Sequence, residues 1–164
     1  MKKVAIIMGS DSDWSVMKKA AVALKKLEVP FEVHVYSAHR TPEEAGSFAA
    51  NARENGFGVI IAGAGMSAAL AGALAAKTTI PVVGVPLDAG LMGMDALLST
   101  AMMPPGIPVA SVGVNGAKNA ALLAAEILSL EDEVLAKKLA DQKVAMHDAV
   151  LEKDARLNEE AKSL

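Results

Sequence analysis

Apolar positions along this chain fall into short blocks separated by polar and glycine-rich breaks. Val4 to Met8 is a continuous apolar run, the pattern of a strand buried on both faces. Gly9-Ser10-Asp11-Ser12-Asp13 ends it. Val16, Ala20, Leu24 and Leu27 then recur at helical spacing up to Pro30. Phe31 to Tyr36 reads as a second strand. Thr41 and Pro42 open the next helix, with Glu44 completing a capping box and Asn55-Gly56 closing it. Val59 to Ala62 is a third strand, Gly63-Ala64-Gly65 a turn, and Ser67 to Thr78 an alanine-rich helix. Pro81 to Pro86 is a fourth strand, 87–93 a loop, and Met94 to Met102 a short helix that Pro104-Pro105-Gly106 punctuates. Val109 to Val114 and Ala117 to Leu128 supply a fifth strand and a fifth helix.

Strand followed by helix, five times over, predicts an α/β fold. We expect a three-layer αβα sandwich around a five-stranded parallel sheet with flavodoxin-like strand order. Right-handed crossovers then gather every strand-to-helix loop on one edge of the sheet. The domain is expected over 1–130. Residues 131–164 form an extension in which Glu131 to about Ser163 reads as one charged helix, about 45 Å long at helical rise. Val134, Leu135, Leu139, Val144, Met146, Val150, Leu151 and Leu157 give it a broken apolar stripe. That length exceeds what one small sheet can cover, so the extension is expected to reach a neighbouring subunit and serve oligomerisation.

Composition sharpens this picture. The 164 residues are 52% hydrophobic but only 3% aromatic, so the core is built from Ala, Val, Leu, Ile and Met, with elements packed closely. A net charge of −3 with mixed signs gives no basic stripe and argues against nucleic acid. The lack of cysteine excludes disulfides, thiol catalysis and Cys-ligated zinc, and agrees with a cytoplasmic location. The apolar run after Met1-Lys2-Lys3 is too short for a signal peptide, and no run is long enough to cross a membrane.

Three loops on the predicted ligand edge carry the candidate chemistry. Gly9-Ser10-Asp11-Ser12-Asp13 opens the first helix. Backbone N–H groups and the helix dipole make an anion site there, Ser10 or Ser12 can donate to a phosphate, and Asp13 can accept from ribose hydroxyls. The plainer reading, that Ser12 or Asp13 is only an N-cap, stands beside it. Ser37-Ala38-His39-Arg40 places a proton carrier that works near neutral pH next to a forked cation, at the end of a buried strand. Gly63, Ala64 and Gly65 let a small planar group approach the backbone, or simply allow tight helix–sheet packing. Loops 86–95 and 102–108 either wall an apolar pocket or pack against a neighbour. His34 lies inside a strand and His147 on the C-terminal helix, so neither is a candidate. No metal site is expected, because the histidines lack ligand spacing and Asp11 with Asp13 is a weak pair. No Gly-x-Ser-x-Gly nucleophile elbow is present.

Taken together, the motifs resemble a known family. Met8-Gly9-Ser10-Asp11-Ser12-Asp13-Trp14, Ser37-Ala38-His39-Arg40-Thr41-Pro42, Ile60-Ile61-Ala62-Gly63-Ala64-Gly65, Pro81-Val82-Val83-Gly84-Val85-Pro86 and Asn119-Ala120-Ala121-Leu122-Leu123 are similar to those of the N5-carboxyaminoimidazole ribonucleotide mutases, the PurE family of purine biosynthesis. The register runs from about Val4 to Leu128. The resemblance implies a flavodoxin-like catalytic domain in a homo-octamer, with the C-terminal helix reaching a neighbour. It implies interconversion of N5-carboxyaminoimidazole ribonucleotide and 4-carboxy-5-aminoimidazole ribonucleotide through enzyme-held carbon dioxide, with no cofactor. An ATP-dependent carboxyaminoimidazole ribonucleotide synthase is implied as a working partner. Carried over by position, Ser10 and Asp13 hold the phosphoribosyl part, Arg40 the phosphate and His39 the proton, and Gly63 to Gly65 border the imidazole and carbon dioxide. Gly9, Asp11 and Ser37 belong to the same substrate-binding loops.

One stretch departs from the pattern. Where the family usually reads Gly-Gly-Ala-Ala-His-Leu-Pro-Gly-Met, this chain has Gly65-Met66-Ser67-Ala68-Ala69-Leu70-Ala71-Gly72-Ala73. Ala69 replaces the second motif histidine and Ala71 the proline. Arg40 after His39 matches the mutase group, which is class I. The altered stretch leaves direct carboxylation of 5-aminoimidazole ribonucleotide by carbon dioxide as an alternative. A non-enzymatic nucleotide-binding module is another; a receiver, however, needs an Asp where the third strand ends in Ala62-Gly63, and a flavin carrier needs aromatics this chain lacks.

Overall fold

The computed structural model describes residues 1–164. Five strands form the sheet: β1 (Lys3–Met8), β2 (Phe31–Val35), β3 (Phe57–Gly65), β4 (Val82–Leu87) and β5 (Ala110–Ser111). All pairings are parallel, in the order β2-β1-β3-β4-β5. This is the expected flavodoxin-like order, and its winding reverses at β1, which opens a crevice beyond the carboxyl ends of β1 and β3. The helices are α1 (Trp14–Lys26), α2 (Pro42–Asn51), α3 (Leu70–Ala75), α4 (Met94–Ala101), α5 (Ala117–Ser129) and α6 (Glu133–Ala161).

The unbroken apolar strands are explained by burial on both faces. In β1, Val4, Ile6 and Met8 meet α1 and α5, while Ala5 and Ile7 join the core of α2 and α3. Small residues bring these layers close. Ala117, Ala120, Ala121, Ala124 and Ala125 present one alanine face of α5 to the sheet, and all are buried. Ala45 and Ala49 do the same for α2.

Element ends differ from the pattern-based expectation in ways that shape the site. The Gly63-Ala64-Gly65 turn is instead the end of β3, paired with Val85, Pro86 and Leu87. Glycine is needed at Gly65, where a Cβ would press on Ala89. The third helix starts at Leu70 rather than Ser67, because Met66 turns into the left-handed region at φ 53°. α2 stops at Asn51, and Gly56 at φ 81° completes the turn into β3. β5 is only two residues long and exposed. The capping box expected from Thr41 and Glu44 does not form, since the Thr41 hydroxyl bonds Ser37 instead. A capping box does close the first loop: Ser10 Oγ accepts from Ser12 N at 3.3 Å and Asp13 Oδ2 accepts from Ser10 N at 3.1 Å. The cap is therefore Ser10, not Ser12 or Asp13.

α6 runs 29 residues from its Asp132 cap, whose Oδ1 accepts from Leu135 N at 2.9 Å. Only Leu135 and Leu139 are buried, and Lys138 pairs with Glu28 to tie this first stretch to the end of α1. Val144, Met146, Val150, Leu151 and Leu157 are exposed. No helix is long and apolar enough to cross a membrane.

Candidate functional site

The loops after β1, β2 and β3 enclose a cavity of about 480 Å³ at the carboxyl edge of the sheet. Gly9, Ser10, Ser12 and Asp13 come from the first loop, Ser37 to Arg40 from the second, Ala64 and Gly65 from the end of β3 and Met66 to Leu70 from the segment after it; Ala89 closes the far side. Eight of the expected site residues thus share one cavity: Gly9, Ser10, Asp13, Ser37, His39, Arg40, Ala64 and Gly65. Two do not line it. Asp11 is exposed and accepts from Ser10 Oγ at 3.3 Å. Gly63 is buried beneath the cavity, where the missing Cβ makes room for Met17 of α1. Its packing role is the one the geometry displays.

The first loop spends its own donors. Ser10 N–H goes to Asp13 and Ser12 N–H to Ser10 Oγ. The hydroxyls are engaged as well, Ser12 Oγ donating to Ser10 Oγ at 2.9 Å and Ser10 Oγ to Asp11, so an anion here would meet Arg40 first and the serines only once they turn toward it. Burial pushes the Asp13 carboxyl above its ordinary value, the Asp11 charge adds to this, and the Ser10 N–H and the Arg40 cation pull against it.

The second loop holds His39 and Arg40 at the exposed rim. Arg40 Nη2 donates to the Gly9 carbonyl at 3.0 Å, which joins the first and second loops. Ser37 Oγ accepts from His39 N at 3.3 Å and from Arg40 N at 3.1 Å. The other histidines lie elsewhere, as expected. His34 stacks on Tyr36 with ring centroids 5.3 Å apart, and His147 sits exposed on α6 beside Asp148.

The third side is mostly apolar, with Ser67 its one polar side chain. Ala64, Gly65, Ala68 and Ala69 line the cavity, and Met66 stands over it, 63% exposed. The sequence reading missed Asn115. Its side-chain oxygen accepts from Asp88 N at 3.1 Å and its own N–H donates to Pro86 O at 2.8 Å, so it clamps the loop that carries Ala89. The Asn115-Gly116 pair was the available signal, since Asn tolerates the φ of 57° found there. A larger cleft, about 830 Å³, opens at the opposite edge, but its Arg53 is already bonded to Thr79 and it contains no histidine.

Fold and cavity define a flavodoxin-like α/β protein with a ligand crevice at the switch point of its sheet, bordered by serine hydroxyls, one arginine and one histidine. Comparison with known proteins gives the family. The AIR carboxylase family model matches residues 3–149. The chain is 59% identical over 140 residues to the N5-carboxyaminoimidazole ribonucleotide mutase of Pyrococcus abyssi, covering 85% of this chain and 80% of the relative. It is 54% identical over 157 residues to the mutase of Bacillus subtilis, covering 94% and 97%. The crystal structure of Treponema denticola PurE matches with a TM-score of 0.84 at 32% identity, over 94% of this chain and 97% of that one. The chain belongs to the AIR carboxylase family.

Proposed function

We propose that this chain is an N5-carboxyaminoimidazole ribonucleotide mutase of de novo purine biosynthesis, an isomerase that moves a carboxylate from the exocyclic nitrogen to ring C4. The observation that carries the reading is the cavity itself, which brings His39, Arg40, Ser10 and Asp13 against the alanine and glycine wall of the third loop.

The chemistry suits those residues. Breaking the N–C bond releases carbon dioxide and leaves the electron pair on nitrogen, which takes a proton. C4 then attacks the carbon dioxide, a C–C bond forms, and the C4 proton departs. One proton enters and one leaves, so a single group titrating near neutrality serves both halves. His39 is the one histidine on the cavity. The small residues Ala64, Gly65, Ala68 and Ala69 leave room for carbon dioxide beside the ring while C4 is presented to it. Arg40 and Ser10 hold the phosphoribosyl end, and Asp13 accepts from the sugar hydroxyls. The rearrangement balances without a co-reactant. Its carbamate substrate must come from an ATP-driven N-carboxylation, which makes a synthase of that class the working partner.

We also propose a homo-octamer in which the exposed apolar stripe of α6 is covered by another copy of the chain. In support, Val144, Met146, Val150, Leu151 and Leu157 are exposed on α6, and Leu91, Met92 and Met102 are exposed on either side of α4.

Direct carboxylation of 5-aminoimidazole ribonucleotide is favoured by one observation. Ala69 lines the cavity where the related pattern has a histidine. Assaying both substrates, with and without added bicarbonate, separates the two. A mutase turns over the carboxyamino substrate without bicarbonate, whereas a direct carboxylase needs bicarbonate and accepts the uncarboxylated ribonucleotide. Activity on neither substrate overturns both readings.

A further inference from the structure

Thr41 occupies the N-cap position of α2, yet its hydroxyl caps no helix N–H. Threonine is well suited to that task, and a cap hydroxyl is among the stronger local supports of a helix start. Here the group faces the preceding loop. Thr41 Oγ1 accepts from Ser37 N at 2.8 Å and donates to Ser37 O at 3.2 Å, and Thr41 N donates to the same carbonyl at 2.9 Å. One residue thus holds both backbone polar atoms of Ser37. Ser37 in turn accepts the His39 and Arg40 amides on its hydroxyl. The loop is closed as two linked rings, with Ala38, His39 and Arg40 inside.

We infer that Thr41 is a positioning residue for His39 and Arg40, acting through Ser37. The inference rests on the reading of His39 as the proton carrier. The His39 and Arg40 side chains are both exposed, so no packing shell holds them. The backbone turn sets where both side chains leave the loop, Arg40 being held further by its bond to the Gly9 carbonyl, and that turn is fixed by the Ser37–Thr41 pair. Local side chain to backbone bonds of this kind compete with helix capping for the same hydroxyl. In this chain the loop has won.

The test uses the full-length protein and three variants. Thr41→Val keeps the shape and removes both hydroxyl bonds. Thr41→Ser keeps the hydroxyl. His39→Asn reports on the underlying reading. For Thr41→Val we expect kcat/KM to fall by roughly tenfold to a hundredfold, the usual penalty for a small misplacement of reacting groups. The melting midpoint should stay within a few degrees of the parent, and hydrogen exchange at the His39 and Arg40 amides should speed up. Thr41→Ser should recover most of the activity. The inference is overturned if Thr41→Val turns over like the parent, if Thr41→Ser is as impaired as Thr41→Val, or if the unfolded fraction accounts for the whole loss. If His39→Asn keeps full turnover, the proton-carrier reading fails instead, and amide exchange in Thr41→Val still decides whether Thr41 orders the loop. Inactive His39→Asn beside a fully active Thr41→Val overturns the positioning role alone.

Discussion

Arg40 reaches from the loop after β2 to the Gly9 carbonyl at the end of β1, with Nη2 and the oxygen 3.0 Å apart. One guanidinium therefore joins two strand ends and still has donors to offer a phosphate, because its fork carries five N–H groups. Arg40→Ala should raise KM by roughly tenfold or more, the loss of a charge-assisted contact of about 1.5–3 kcal/mol. The same change removes a cation that lowers the Asp13 pKa, so that pKa should rise further. A carbon-detected NMR titration of Asp13 checks the second effect, and unchanged titration would mean that Arg40 does not face the carboxylate in solution.

On the proposed role, His39→Asn should keep the fold and the affinity for the nucleotide while turnover drops by at least about a hundredfold, the usual loss for a general acid–base group. Steady-state kinetics beside a binding titration check this. Near-normal turnover would remove His39 from the chemistry.

Asp13 gives a pH-dependent stability effect with a definite sign. Its pKa is raised above 3.8, mainly by burial, so the folded state holds the proton more tightly than the unfolded chain does. The stabilising form is the protonated one, present in acid and lost as pH rises through the folded pKa. Asp13→Asn mimics that form. It should melt higher than the parent at neutral pH, and the gap should close in acid, where the parent carboxyl is itself protonated. Thermal melts across that range decide it.

Met66 should be a site of gain. A non-glycine residue at φ 53° is strained by about 1–2 kcal/mol, while glycine loses extra chain entropy of about 0.5–1 kcal/mol on folding. Met66→Gly should therefore raise the melting midpoint slightly. Asn115 is the opposite case, since it combines a left-handed φ with the acceptor for Asp88 N. Melting midpoints should rank Asn and Asp above Gly, and Gly above Ala; an alanine variant equal to the parent would show that the clamp contributes nothing.

Ending the chain after Gln142 spares the buried Leu135 and Leu139 while removing the exposed apolar stripe. Light scattering should then report a smaller particle, with activity falling alongside. An intact octamer would place the subunit contacts elsewhere.

The architecture was legible in the sequence because β1, β3 and β4 are buried on both faces and therefore read as unbroken apolar runs. The first two loops were legible as loops, the third lay partly in the end of β3, and eight of the named residues do meet in one cavity. What pattern could not supply was how each polar group is spent. Thr41 and Ser10 are both good caps by type, yet only Ser10 caps, because Thr41 finds both backbone atoms of Ser37 within reach. Gly63 and Gly65 look alike in the sequence, but one makes room for Met17 and the other for Ala89 at the cavity wall. The hydroxyl assignments depend on which of several nearby backbone groups the fold brings within reach, and the glycine ones on neighbours distant in the chain. The Asn115 clamp, 27 residues from its partner, is the clearest instance.

The central place of β1 has a consequence for synthesis. Its two partners, Phe31–Val35 and Phe57–Gly65, both leave the ribosome after it. Until the second has emerged, Val4-Ala5-Ile6-Ile7-Met8 keeps an unpaired edge with high β propensity and no charge. A nascent chain halted before Phe57 thus holds an uncharged apolar strand with one edge still open to other chains.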